Sequence, residues 1–245
     1  VEKLWRKVDA ELPPGQAVVF NGLDRLNQGA PELTSAQLDG YFPKRPAVVL
    51  DNSGHEAYIN SAAMALNGWA GGKAPPDPVG ARFGRNADGT SNGRAYETAA
   101  IAAAAMKTMR AAIPHPLLSA ARWYALMAAN GVTATTEHTY DTKLRDGYVA
   151  LASVADCPLR VALYHMSIDP TCGEKVTTPV PEEFLWKQGI KLWADGSPWV
   201  GTIAASFPYL DNATTRRAQI PLGPGGESML NYPRGTLDEI LARHA

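Results

Sequence analysis

The second half of the chain alternates short apolar runs with stretches of helical periodicity. Apolar runs predict strands over residues 132–136, 159–164 and 190–193. The segments between them predict a helix over 144–155 and a short helix over 182–187. The strand starts lie about 30 residues apart, which is the repeat of parallel β/α folds and close to one eighth of a β/α barrel. The pattern predicts an α/β fold with part of a (β/α)8 TIM barrel, because a closed barrel needs more repeats.

The first half of the chain is richer in loops. Apolar runs over 17–20 and 46–50 predict short buried strands. A Gly- and Pro-rich stretch over 68–93 predicts one long loop, and long loops in compact domains are often functional. Helical periodicity then predicts helices over 95–112 and 117–130.

Helical patterns reach both ends of the chain. Leu4, Val8 and Leu12 recur at helical spacing, with no N-cap residue ahead of them. Thr236 and Glu239 have the spacing of a capping box for a second helix that runs to the last residue. We therefore expect an internal piece of a longer protein, with a short chain whose ends fray as the alternative.

Composition narrows the classes of function. Lys and Arg number 23 and Asp and Glu 24, and this net charge of −1 argues against a nucleic-acid partner. Cys157 and Cys172 form no C-x-x-C pair, so a disulfide framework is not expected and a zinc site built on cysteines is excluded. No apolar run approaches the roughly 18 residues of a membrane span, and no signal peptide is visible. We expect a cytoplasmic protein without a membrane partner.

One motif suggests a serine hydrolase. Residues 89–93 read Gly-Thr-Ser-Asn-Gly, which fits the G-x-S-x-G nucleophile elbow with Ser91 as the nucleophile. That elbow requires a buried strand before it and a helix after it, whereas turn-forming residues precede Gly89. The favoured interpretation is a polar hairpin or loop, and Ser91→Ala would test the alternative.

Two of the histidines are candidates for a binding site. His138 and His165 lie at or just beyond the ends of predicted parallel strands, where barrel enzymes hold their chemistry. The alternative for each is a hydrogen-bonded histidine with a structural role. No pair of histidines forms H-x-H or H-x-x-x-H, so the sequence contains no local zinc motif.

Lys191 interrupts an otherwise apolar strand. Burying an unpaired ammonium costs several kcal/mol, so the residue is either a lysine that reaches solvent from a strand end or a functional one. Desolvation favours the neutral amine, which can add carbon dioxide. The resulting carbamate is a carboxylate-like ligand that could bridge two metal ions.

The run Ile-Lys-Leu-Trp-Ala-Asp-Gly-Ser at 190–197 resembles the lysine strand of the amidohydrolase superfamily, specifically amidohydrolase family 3. That family includes proteins similar to N-substituted formamide deformylase. Residues 45–61 resemble its strand followed by S-G-H and N-S-x-A motifs, and residues 75–97 resemble its next loop. Residues 131–135 resemble its second barrel strand, and the resemblance covers most of 15–245.

The resemblance implies a metal-dependent hydrolase on about strands 2–4 of a (β/α)8 barrel, with an inserted α/β segment. Residues 1–115 would be the inserted, substrate-covering segment and residues 116–245 the partial barrel, both within one catalytic domain of a longer protein. A divalent metal, zinc in most members, would activate water for attack on the C–N bond of a small amide- or formamide-like substrate.

The resemblance also implies roles for individual residues. Lys191 corresponds to the carboxylated lysine that binds metal. His55 corresponds to a histidine of the inserted segment near the substrate, and the residues after the lysine strand would shape the rim of the pocket. The expected substrate-binding residues are His55, His138, His165, Trp193, Asp195 and Ser197.

Several family features have no counterpart in this sequence. The H-x-H pair, the two later histidines and the catalytic aspartate would lie outside residues 1–245. We therefore expect the isolated chain to bind no metal stoichiometrically and to show no turnover. Open strand edges favour stabilisation either by self-association, as a homo-oligomer, or by the rest of a longer protein. The alternative function is a metal-free binding or scaffold domain of the amidohydrolase type, in which Lys191 is structural.

Overall fold

The computed structural model describes residues 1–25, 27–28, 33–113, 115–154, 156–167, 169–217, 220, 230–232 and 235–244. The chain divides into two compact units. Unit 1 comprises Val1–Pro114 and Ala194–Arg234, and unit 2 comprises His115–Trp193 and Gly235–Ala245. The expected division was a single boundary between residues 115 and 116, with 194–234 in the second part. In the structure, residues 194–234 cluster with unit 1.

Helices and strands alternate along the chain. The helices are α1 (Glu2–Glu11), α2 (Ser35–Tyr41), α3 (Ser61–Asn67), α4 (Thr98–Ala112), α5 (Pro116–Ala129), α6 (Arg145–Ala152), α7 (Ala213–Arg217) and α8 (Thr236–His244). The strands are β1 (Val18–Leu23), β2 (Ala47–Asp51), β3 (Glu56–Ile59), β4 (Arg82–Arg85), β5 (Ser91–Tyr96), β6 (Ala134–Tyr140), β7 (Arg160–Met166) and β8 (Leu185–Lys191). Short 3-10 turns lie at Ala70–Gly72, Thr142–Leu144 and Pro198–Val200.

Among the described residues, each unit contains one sheet. The mixed sheet of unit 1 has the order β1-β2-β3-β5-β4, with β1 and β2 parallel and the other neighbours antiparallel. The parallel sheet of unit 2 has the order β6-β7-β8. The mixed α/β class agrees with the prediction, and no closed barrel forms within the part of the chain that the structure describes.

The mixed sheet is covered on both faces. Alternation along β2 sends Val48 to one face, where it joins a cluster with Ile59 and residues of α3 and α4. Its neighbour Val49 joins a cluster on the other face with Tyr58, Trp5 and residues of α2. The sheet is therefore held between two apolar layers, and burial of these side chains is the main stabilising contribution.

The parallel sheet has one face covered by helices of its own unit. Val161, Leu163 and Leu185 pack on that face with Tyr124 of α5 and Leu151 of α6. We call this the helix face and the opposite one the open face. Within the described residues, no helix is long and apolar enough to cross a membrane.

Two predicted elements are wrong. The predicted loop over 68–93 contains β4 and the start of β5, which form an antiparallel hairpin closed by Asn86 N donating to Thr90 O at 2.8 Å. Ser91 opens β5 of that hairpin, so it does not stand on the strand-to-helix turn of a nucleophile elbow. The predicted helix over 182–187 is instead the start of β8, because pairing with β7 outweighs local propensity.

Candidate functional site

His55 follows a tight turn that is organised by the side chains of Asp51 and Ser53. Asp51 Oδ1 accepts hydrogen bonds from Ser53 N at 2.9 Å and Ser53 Oγ at 2.6 Å. His55 N in turn donates to Ser53 Oγ at 3.1 Å. The turn connects β2 to β3, so two strands of the mixed sheet fix the position of the imidazole.

Glu97 is the partner of His55. Its Oε2 lies 2.7 Å from His55 Nδ1, and because a carboxylate only accepts, Nδ1 carries a proton and donates it. Glu97 has φ 68° and ψ 160°, and it is the single non-glycine residue with positive φ among the described residues. Such a conformation costs of order 1–3 kcal/mol and is concentrated at functional sites.

The second carboxylate oxygen of Glu97 faces the segment that returns to unit 1. Thr202 Oγ1 donates to Glu97 Oε1, and Ser197 N donates to Thr202 Oγ1 at 2.8 Å. A Cβ at Gly196 would overlap both Glu97 Oε1 and Thr202 Oγ1, so only glycine fits there. Nearby, Asp195 Oδ2 accepts from Ala204 N at 3.0 Å. The predicted residues Asp195 and Ser197 thus lie beside the pair formed by His55 and Glu97.

The His55 imidazole is oriented and has one nitrogen available. The hydrogen bond to Glu97 raises the pKa of His55 above its ordinary value, although partial burial opposes this, and the charges of Asp51 and Asp195 raise it further. Nε2 makes no hydrogen bond within the described residues. A carboxylate behind a histidine fixes the tautomer and orients the ring, which suits a group that binds or transfers a proton.

A cavity of about 310 Å³ adjoins the same turn. This volume is at the small end of the range of ligand sites, about 300–1,000 Å³. Among the described residues, its lining is polar apart from one indole and shares three residues with the turn that carries His55. The lining residues are Asp24, Arg25, Asn27, Asp51, Asn52, Ser53 and Trp199.

In unit 2, a register shift determines where Lys191 points. Leu163 pairs with Lys187, but the next residue of β7, Tyr164, pairs with Gly189. Gln188 is the extra residue, so side chains before and after it alternate in opposite phase. Lys187 therefore lies on the helix face with Leu163, whereas Lys191 lies on the open face with its partner Met166.

The open face brings together His138, Tyr164 and Lys191. The rings of His138 and Tyr164 meet edge to face, with centroids 4.9 Å apart. Lys191 is half-buried, and its Nζ lies 5.9 Å from the centroid of the Trp193 ring. Within the described residues, the side chains of His138, Tyr164 and Lys191 make no hydrogen bond or ion pair.

His165 lies on the opposite face from these residues. It is 1% exposed, pairs with Tyr140, and its Nε2 lies 2.9 Å from Asp169 Oδ2. Its Nδ1 and the Tyr140 hydroxyl are buried and have no hydrogen-bond partner among the residues that the structure describes. The contacts of His165 are those of a structural histidine.

Asp169 connects two loops at the carboxyl end of the parallel sheet. Its carboxylate accepts from Thr142 N and from Thr171 N, each at 2.9 Å, as well as from His165. Burial tends to raise the pKa of Asp169, but these hydrogen bonds outweigh it and hold the pKa well below its usual range. Thr142 follows β6 and Thr171 follows β7, so the carboxylate fixes the two loops to each other.

The predicted site residues thus form two groups and one outlier. His55, Asp195 and Ser197 lie together in unit 1. In unit 2, His138 and Lys191 lie on the same face of the parallel sheet, and Trp193 lies beside Lys191. Glu97, Thr202, Tyr164 and Asp169 were not among the predicted site residues. Gly93 and Glu97 have a G-x-x-x-E spacing that could have pointed to Glu97, but the positive φ of Glu97 leaves no mark on the sequence.

Comparison with protein families identifies the chain. The sequence profile of the amidohydrolase family matches residues 2–245. The chain belongs to the amidohydrolase family. This confirms the resemblance at the level of the family and does not extend to formamide deformylases. A comparison with curated proteins finds no significant match.

Two solved structures are similar to this amidohydrolase chain in fold. An uncharacterized metal-dependent hydrolase from Pyrococcus horikoshii OT3 has 17% identity and a TM-score of 0.59, over 99% of this chain and 45% of that one. A second, from Pyrococcus furiosus, has 20% identity and a TM-score of 0.51, over 99% and 46%. The amidohydrolase chain therefore spans less than half the length of either structure.

The described residues do not complete a metal site by themselves. A catalytic zinc takes three protein ligands, and no group of three or more His, Cys, Asp or Glu that could hold a metal occurs in the described part of the chain. Lys191 fits one position of such a site, because its amine is on the open face and is not committed to any hydrogen bond or ion pair there.

Proposed function

We propose that this chain is part of a metal-dependent hydrolase that cleaves the C–N bond of a small amide- or formamide-like compound. The single observation that carries the proposal is the position of Lys191. It ends a parallel strand on the open face, its amine is unpaired among the described residues, and it lies in a segment that matches the amidohydrolase family. We assign the parallel sheet to about strands 2–4 of a (β/α)8 barrel.

Lys191 would act as a metal ligand after carboxylation. Its neutral amine adds carbon dioxide and loses one proton, which gives a carbamate with two acceptor oxygens. The divalent metal, for which zinc is our first candidate, supplies a water of lowered pKa and polarises the substrate carbonyl. The remaining ligands would come from segments of the protein outside these 245 residues.

His138 and Trp193 would contact the substrate from the same group of residues. His55 is a separate assignment in unit 1, where Glu97 presents its Nε2 for a substrate hydrogen bond and Asp195 and Ser197 fix the neighbouring turn. His165 is left out of the substrate-binding set, because its ring is buried on the helix face and bonded to Asp169.

The test uses the full-length protein that contains this chain, purified with added Zn²⁺. Metal content is measured by mass spectrometry, and aniline release is measured with formanilide and acetanilide as substrates. We expect Lys191→Ala to lower kcat at least 100-fold and to reduce bound metal. Acetate or propionate should restore part of the activity, because a small carboxylate can occupy the space left by the carbamate.

The matched control is Lys175→Ala, which removes an exposed lysine of the same unit and should leave both measurements unchanged. Full activity and metal content in Lys191→Ala would contradict the proposal. A wild-type protein that folds, holds no metal and hydrolyses neither anilide would favour the binding or scaffold function instead.

A further inference from the structure

Tyr164 occupies a distinctive place in the parallel sheet. Its neighbours along β7, Leu163 and His165, are 0% and 1% exposed and lie on the helix face. Tyr164 is half-buried and lies on the open face, between β6 and β8. Strand alternation therefore places its ring on the same side of the sheet as Lys191.

Two neighbours flank the ring of Tyr164. Gly189 pairs with it on β8, and a Cβ at that glycine would lie 3.4 Å from the ring Cε1 and 3.5 Å from Cδ1. On β6, the His138 ring contacts it at an interplanar angle of 73°. A side chain with two rotatable bonds that is flanked this way loses little conformational entropy when it binds a ligand.

The hydroxyl of this ring has no hydrogen-bond partner within the described residues. The hydroxyl of Tyr148, in contrast, has a partner, because it donates to Glu137 on the helix face. The strand residues of the open face include no aspartate or glutamate: they are Ala134, Thr136, His138, Arg160, Ala162, Tyr164, Met166, Trp186, Gly189 and Lys191. A tyrosine hydroxyl that is not bonded to a strand residue of its own face keeps its proton available for a ligand oxygen.

We propose that Tyr164 is a further substrate-binding residue, whose hydroxyl donates a hydrogen bond to the carbonyl oxygen of the amide substrate. The inference rests on the proposed function, since it names the group that holds the acyl end of that substrate. The ring contributes an aromatic wall beside the acyl group, and the hydroxyl fixes the direction of the carbonyl.

Binding without turnover tests this assignment. Formanilide and N-methylaniline, which lacks the carbonyl oxygen, are titrated by calorimetry into full-length protein carrying Lys191→Ala, with and without Tyr164→Phe. We expect Tyr164→Phe to weaken the binding of formanilide about 5- to 30-fold and to leave the affinity for N-methylaniline unchanged. Gly189→Ala should leave formanilide binding within about twofold, because the new methyl group would stand in ordinary van der Waals contact with the ring.

Tyr140→Phe is the matched control, since that hydroxyl also lacks a partner but lies on the helix face. Formanilide binding that is equal with tyrosine and phenylalanine at position 164, or absent in both, would overturn the assignment. The proposed function is judged separately, by the dependence of anilide hydrolysis on Lys191 in protein with Tyr164 intact.

Discussion

The two faces of the parallel sheet carry similar residue types in very different states. On the helix face, Glu137 accepts from Tyr148, His165 is bonded to Asp169, and Lys187 donates to the carbonyls of Cys172 and Glu174. On the open face, His138, Tyr164 and Lys191 have no such partners among the described residues. A polar side chain that is bonded to its neighbours stabilises the fold, and an accessible one without such bonds is suited to bind a ligand.

The largest expected difference between the faces is in packing. Leu163→Ala removes a side chain that is 0% exposed in the helix-face core, and we expect it to lower the free energy of unfolding by about 2–5 kcal/mol. Tyr164→Phe, one residue further along β7, should change it by less than about 0.5 kcal/mol. Urea unfolding followed by tryptophan fluorescence measures both, and equal losses would remove the distinction between the faces.

Asp169→Asn should have the next largest effect, about 2–3 kcal/mol, because it weakens several hydrogen bonds to one charged group. Since the pKa of Asp169 is lowered in the folded state, its contribution is present above the unfolded pKa of about 3.9 and is lost as pH falls below it. The difference from wild type should stay constant from about pH 8 to pH 5 and shrink below about pH 4. A difference that grows in acid would be inconsistent with this role.

The two lysines of β8 allow a closer comparison. Lys187→Met keeps the aliphatic stem but leaves two carbonyls without their donor, so we expect a loss of about 1–2 kcal/mol in the free energy of unfolding. Lys191→Met should cost less than about 0.5 kcal/mol while removing activity. The reverse order of stabilities in urea would mean that Lys191 is the structural lysine.

The smallest effect concerns His55 in unit 1. Because the hydrogen bond to Glu97 raises its pKa, the charged pair stabilises the fold fully below the unfolded pKa of about 6.5, and this contribution is lost as pH rises through the folded value. His55→Gln should cost about 1 kcal/mol at pH 6 and less at pH 9. Unfolding midpoints at the two pH values provide the measurement, and a larger loss at pH 9 would contradict the pairing.

Regular periodicity made much of the fold predictable. The three parallel strands, the two helices before them, the helix between the first two and the helices at both ends follow from apolar spacing. A hairpin or loop was expected at residues 89–93, but the strands β4 and β5 were not predicted, because their residues alternate weakly and Gly and Pro surround them. Leu185 and Trp186 were assigned to a helix from the local sequence. Their strand conformation depends on pairing with β7, a segment distant along the chain, which the local sequence does not reveal.

The candidate sites were less predictable than the fold. Lys191 was found as a lysine within an apolar strand, and His55 was found through a family motif. The bond from His55 to Glu97 joins residues 42 positions apart and depends on a backbone angle that no residue type signals. Lys187 and Lys191 are four residues apart, and strict alternation would place them on one face. The register shift at Gln188 separates them, and a pattern with a period of two does not reveal such a shift.

The register shift at Gln188 also shows that the number of residues in a strand can matter more than the side chain at one position. A substitution scan would score position 188 as tolerant, because almost any side chain could stand there without changing the phase of the residues that follow. Deleting this residue would make the pairing with β7 regular and leave Lys191 beside Met166 on the open face. Inserting one residue between Gly189 and Lys191 would instead carry Lys191 to the helix face, so an insertion there should be far more damaging to function than the deletion of Gln188.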